Sequence, residues 1–126
     1  MVGKTFNNYE ENAEKTITFQ DAVREMSEYK LRESTNMSYA IMGLAGEAGE
    51  VANAYKKVIR DHGGIVTAEV RDDIIDELGD VLWYITTIAH QLGFTLEEVA
   101  IRNNFKLEER YKNGKPGTKP NRIQLA

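Results

Sequence analysis

The sequence predicts an all-α fold, a protomer resembling a four-helix bundle, and three observations carry that reading. Apolar residues recur at intervals of three and four along four separate segments, which is the spacing of one helix face. A breaker run, Asp61-His62-Gly63-Gly64, divides the two most apolar of these segments. Start and stop signals frame the others: Thr18 with Asp21 as a weakened capping box, Gly93 as a terminator, and Thr95 with Glu98 as a full capping box.

Residues 1 to 17 mix Asn, Glu, Lys and Tyr without a regular period and read as a loose or partner-dependent arm. Phe19, Ala22, Val23, Met26 and Tyr29 then mark a first amphipathic helix ending near Lys30, followed by a polar connector from Leu31 to Thr35. Met37, Ala40, Ile41, Leu44, Ala48, Val51, Tyr55 and Val58 line a second helix from Asn36 to Arg60. Glycines 43, 46 and 49 should cost that helix roughly 2 to 3 kcal/mol against alanine, so close packing or room for a ligand has to compensate. The third helix, Ala68 to Gln91, is apolar nearly all round: Ile74, Ile75, Leu78, Val81, Leu82, Ile85 and Ala89 form its main stripe, and Trp83 lies outside it. A helix of that kind is buried on more than one side. So short a chain has few elements to cover it, and self-association into a dimer or tetramer is expected, with Trp83 in the core, in a subunit contact or stacked on a base. A fourth helix runs through Val99, Ile101, Phe105 and Leu107 to Tyr111, and residues 112–126 read as a basic flexible tail. The single domain therefore spans residues 18–111.

At 126 residues with 41% apolar content the chain can bury one modest core. A net charge of −4 and a pI near 5.2 argue against duplex nucleic acid as a partner. Cysteine is absent, which excludes disulfides, zinc-thiolate sites and thiol nucleophiles. No signal-peptide pattern and no long apolar run is present, so no membrane association and a cytoplasmic location are expected.

The chemistry concentrates in two pairs of acids. Glu47 and Glu50 sit among glycines and alanines, and Glu77 and Asp80 alternate with Leu78, Val81 and Leu82. Within each pair the spacing of three puts both carboxylates on one side of a helix. The pairs centre on positions 48.5 and 78.5, with their midpoint in the glycine turn. Folded as an antiparallel hairpin, the acids therefore lie at one height, roughly 15 to 17 Å from the turn. Carboxylates gathered in apolar surroundings need a cation, and an all-oxygen set suits Mg²⁺ first and Mn²⁺ next. Two solvated acidic faces in accidental register are the bland alternative. Lys57 projects within about 20° of Glu50 on the helical wheel, as a phosphate contact or as an ordinary surface lysine.

The stretch Gly43-Leu44-Ala45-Gly46-Glu47-Ala48-Gly49-Glu50-Val51, followed by Glu77-Leu78-Gly79-Asp80-Val81, resembles the signature of the MazG-like, all-α nucleoside triphosphate pyrophosphohydrolases. The resemblance covers residues 36 to 111. It implies Mg²⁺-dependent hydrolysis of a nucleoside triphosphate to a monophosphate and pyrophosphate, with house-cleaning of non-standard or excess nucleotides as its use. It also implies Glu47, Glu50, Glu77 and Asp80 as metal ligands, and Asn103 or Asn104, Lys106 and Arg110 as contacts to triphosphate or sugar. A cationic helix end complementing the dipole is an equal account of the last group. Among the acids, Glu47 is the expected general base, because its position at the border of the apolar stripe favours a raised pKa. Where many relatives carry a further Glu, this chain has Gly46, which leaves the number of metal ions open.

Other chemistries lack their residues. Neither His62 nor His90 forms the Glu-x-x-His of a di-iron bundle, His62 reads as solvated, and His90 is expected to meet carbonyls at a helix end. A Gly-rich phosphate loop is missing. Phosphoribosyl-ATP pyrophosphohydrolase chemistry and a non-catalytic helical oligomer are the rival readings.

Overall fold

A computed structural model describes residues 5–17 and 29–112, and side chains at 5–17 and 35–112. The described residues form four helices and no strand: α1 (Phe6–Lys15), α2 (Tyr29–Asp61), α3 (Ala68–Gln91) and α4 (Leu96–Lys112). The helix expected between Thr18 and Lys30 falls largely outside these residues, as does the tail beyond Lys112.

Two expectations need correction. The stretch read as a loose arm contains α1, capped by Thr5, whose hydroxyl accepts from Asn8 N at 3.3 Å. Its inward face combines Ala13 with Glu10, both buried, so a charged residue stands where an apolar one would have revealed the period. The connector expected at Leu31 to Thr35 belongs to α2. That stretch is polar but holds no Gly or Pro, and polarity alone does not stop a helix.

α2 and α3 make the principal hairpin, while α1 and α4 each touch α3 and one another. The turn is built as the glycines suggested. Gly63 and Gly64 adopt φ of 59° and 84°, a region open to glycine, and Gly64 N closes on Val58 O at 2.9 Å. Thr67 then caps α3 by accepting from Val70 N at 3.2 Å. At the far end Gly93 turns with φ 81°, and the Thr95/Glu98 capping box is present in both directions: Glu98 N donates to Thr95 Oγ1 at 3.1 Å and Thr95 N to Glu98 Oε1 at 3.4 Å.

The seam between α2 and α3 is lined by small residues, Ala40, Ala54, Val58 and Val70 among them. Gly43 lies directly against the Tyr84 ring: a Cβ there would fall 2.2 Å from a ring carbon, whereas at Gly46 and Gly49 it would meet nothing within 4 Å. Close packing thus accounts for the first glycine and not for the other two. Gly43→Ala is expected to lower unfolding free energy by about 1 to 3 kcal/mol through overpacking, and Gly49→Ala to raise it by up to about 1 kcal/mol. Urea denaturation of the two variants checks the contrast.

Candidate metal centre

The hairpin brings three of the four acids together. Glu47 on α2 and Glu77 and Asp80 on α3 each offer a carboxylate oxygen, and these oxygens lie within 4.8 Å of one another. Glu47 and Glu77 are half-buried and Asp80 is exposed. Glu50 is exposed and stands outside that group, one helical turn from Glu47, yet its charge acts on Glu77. The Glu77 carboxyl is pushed above the ordinary value of 4.5, first by burial and then by the negative charges of Asp80, Glu47, Glu50 and Asp76. Among the described residues, no cationic side chain pairs with any of the three converging acids. A hard divalent cation fits this donor set: all oxygen, anionic, and converging without a protein counter-charge.

Tyrosines flank the acids. Tyr84 lies one turn beyond Asp80 and has its phenol pushed up by burial, by the neighbouring Tyr39 and by Glu47, with a hydrogen bond to Tyr39 contributing. Tyr9, on α1, donates to Gly79 O at 3.3 Å and is pushed up by burial and by the charge of Asp80. Sequence reasoning missed Tyr9 because it placed no structure in that stretch.

The remaining candidates are dispersed. Lys57 is exposed near the turn, where its charge acts on Asp61. Trp83 donates from Nε1 to Thr16 Oγ1 at 2.7 Å and meets Tyr84 edge to face at 4.9 Å between ring centres, so it joins α1 to α3 within the protomer. Asn103, Asn104 and Lys106 are exposed on α4, while Arg110 is half-buried with its Nε unpartnered. Arg102, not singled out from the sequence, is also half-buried on α4 and stacks over Phe94 at 4.8 Å, with its Nε also shielded and unpartnered. His62 is half-buried in the turn. His90 corrects its expectation: its Nε2 meets Glu10 and its Nδ1 meets Glu14 Oε1 at 3.0 Å, so carboxylates of α1 take the place of helix-end carbonyls.

Comparison with known proteins agrees with this arrangement. The family profile of the MazG nucleotide pyrophosphohydrolase domain matches residues 34–115, a stretch that contains all four acids. The "Gene 37 protein" of Mycobacterium phage L5 is 51% identical over 78 residues, covering 62% of this chain and 68% of that protein. No solved structure matches the chain. With described elements that are all helical, a hairpin that gathers three of the four motif acids and a family match over most of its length, this chain belongs to the MazG nucleotide pyrophosphohydrolase family.

Proposed function

We propose that the protein is a Mg²⁺-dependent hydrolase that cleaves a nucleoside triphosphate between the α and β phosphorus atoms, releasing a monophosphate and pyrophosphate, in the service of removing non-standard or excess nucleotides. The convergence of Glu47, Glu77 and Asp80 with no partner cation among the described residues carries this reading. When bound, Mg²⁺ neutralises the triphosphate and stabilises the charge that develops in an in-line displacement. Glu47, Glu77 and Asp80 would hold it, and the like-charge strain on Glu77 is what its binding would relieve.

One carboxylate has to stay off the cation to take the proton from the attacking water. Glu47 was the residue to expect in that role, but Glu47 closes on the same point as Glu77 and Asp80. Glu50 stands one turn away, outside the group and within electrostatic reach of it, and we assign the base to Glu50. The two assignments separate cleanly. Glu50→Gln should keep the rise in Tm that Mg²⁺ produces while kcat falls at least about 100-fold, whereas Glu47→Gln should lose both. The reverse pattern returns the base to Glu47.

Pyrophosphate release from a panel of ribo- and deoxyribonucleoside triphosphates with Mg²⁺ tests the reaction itself. Release from at least one nucleotide is expected, and none from any would refute the reading.

The assembly is proposed as a homo-oligomer. Ile41, Ala45, Ala48, Ala52, Tyr55 and Ile59 form one continuous exposed stripe along α2, and Ile75 and Leu78 are exposed on α3. Ile59 is 70% and Ile41 50% exposed in the protomer, and a stripe of that length in water marks an interface. Light scattering is expected to give the mass of a dimer or tetramer for the wild type, and of a monomer for Ile41→Glu/Ile59→Glu.

A further inference from the structure

The seam between α2 and α3 changes chemistry along its length. Gly43 against Tyr84 fixes the register, so residues whose numbers average 63.5 face one another: Glu47 with Asp80, Ala40 with Thr87, and Asn36 with Gln91. Near the turn the seam is closed by Val58 and Val70, 0% and 4% exposed. The acids occupy its middle, Tyr84 follows, and the described side chains that face one another toward the open end, Asn36, Thr87 and Gln91, are polar and uncharged.

At that open end three polar atoms are shielded from solvent and make no hydrogen bond: Asn36 Oδ1, Thr87 Oγ1 and Gln91 Nε2. Thr87 is 2% exposed. Its neighbour Thr86 shows the usual helical solution, donating its hydroxyl to Leu82 O at 2.8 Å, while the Thr87 hydroxyl remains unsatisfied. Buried polar groups are nearly always partnered, and three unpartnered groups within about one helical turn of one another point to a ligand. They comprise an acceptor, a donor and a hydroxyl able to act as either. The acidic cluster shows the charge that a phosphate-bound cation requires, and these three side chains carry none.

We propose that Asn36, Thr87 and Gln91 form the subsite that reads the hydrogen-bonding edge of the substrate's nucleobase. The inference rests on the pyrophosphohydrolase reading and extends it to substrate recognition. Thr87 and Gln91 lie seven and eleven residues beyond Asp80, roughly 10 and 16 Å along α3. A nucleotide whose phosphates sit at the acids can send its base toward the turn or toward the open end. Toward the turn the seam is closed by the buried Val58 and Val70, so the base goes to the end with unused hydrogen-bonding capacity, passing the Tyr84 ring. Because each amide can turn over to present oxygen or nitrogen, Asn36 and Gln91 match an edge on which donor and acceptor adjoin. A base lacking that match leaves these groups buried and unpaired, and this mismatch is a strong source of discrimination.

Steady-state pyrophosphate release by the full chain from dUTP, dCTP, dTTP, dATP and dGTP with Mg²⁺ provides the test, with Asn36→Leu and Gln91→Met beside the wild type. For the preferred nucleotide, KM is expected to rise about tenfold or more in each variant with kcat within about twofold, and the spread of kcat/KM across the five bases should narrow. The melting temperature should not fall, because the groups removed have no partner to lose. Unchanged KM and unchanged preference overturn the subsite, and a fall in melting temperature alongside them shows a structural or water-binding role only. If the wild type releases pyrophosphate from no nucleotide, the reaction itself is misassigned and the subsite falls with it. Release with unaltered discrimination overturns the subsite alone.

Discussion

Glu77→Gln is expected to abolish pyrophosphate release while making the metal-free protein more stable. The two effects have one cause. Glu77 is half-buried, and burial together with Asp80, Glu47, Glu50 and Asp76 raises its pKa above the ordinary 4.5. A carboxyl whose folded pKa exceeds its unfolded value binds its proton more tightly in the folded state. Ionising it therefore costs folding free energy as the pH climbs from about the unfolded value through the folded one, and the cost persists at neutral pH. Glutamine occupies the same space without the charge and removes this cost. In the absence of metal, the variant should melt above the wild type at pH 7, and the gap should close as the pH falls below about 4.5, where the wild-type carboxyl is itself protonated.

Mg²⁺ should reverse the order. A cation that binds the folded wild type raises its melting temperature by mass action, and a cluster missing one of its converging oxygens holds that cation less well. At millimolar Mg²⁺ the wild type is expected to gain thermal stability and the variant little, with kcat of the variant down at least about 100-fold. Differential scanning calorimetry with and without Mg²⁺ reads the stabilities, and pyrophosphate release reads the activity. A Gln variant less stable than the wild type in the absence of metal would show that Glu77 is held by partners in the folded chain and is not strained there.

The sequence carried the hairpin further than it carried the periphery. Both acid pairs, the glycine turn and the bounds of α3 followed from periodicity and breakers, because those features are local and each has a geometric consequence. The equal spacing of the pairs from the turn was enough to bring Glu47 opposite Asp80. Which acids close on one point was not available at that level: Glu50 and Glu47 share a helix side, and a difference of about 60° decides between them. The role of Gly43 was equally hidden, since only the partner helix shows that Tyr84 lies over it and leaves Gly46 and Gly49 uncovered. α1 escaped for a different reason. Its docking runs through Glu10, a residue type that normally marks a solvated face, and through partners about 80 positions away. No local pattern signals such a contact.

That contact leads to the second large effect, in His90→Ala. Glu10 is 7% exposed, accepts from Leu96 N at 2.7 Å, and meets His90 Nε2, while Glu14 takes the other ring nitrogen. One buried carboxylate thus satisfies the first turn of α4 and fastens α1 to the end of α3. Removing the imidazole leaves the carboxylate shielded from water with a backbone amide as its remaining partner, and breaking a buried pair in this way costs about 3 to 5 kcal/mol. The chain need not bear all of that. α1 can leave and return Glu10 to water, so the loss is limited to the free energy that docks α1, and the helical hairpin beneath it stays folded. The expected result is therefore local. In hydrogen exchange, amides of Phe6–Lys15 should lose most of their protection, and those of the α2–α3 seam little. Trp83 gives a second reading, because its indole donates to Thr16 just past the end of α1, so its emission should shift to the red as that bond is lost. Glu10→Gln should fall between the two states, since its amide oxygen can still accept from Leu96 N while the charge opposite His90 is gone. Uniform loss of protection across α2 and α3 would instead mean that α1 is integral to the core and not a strap upon it.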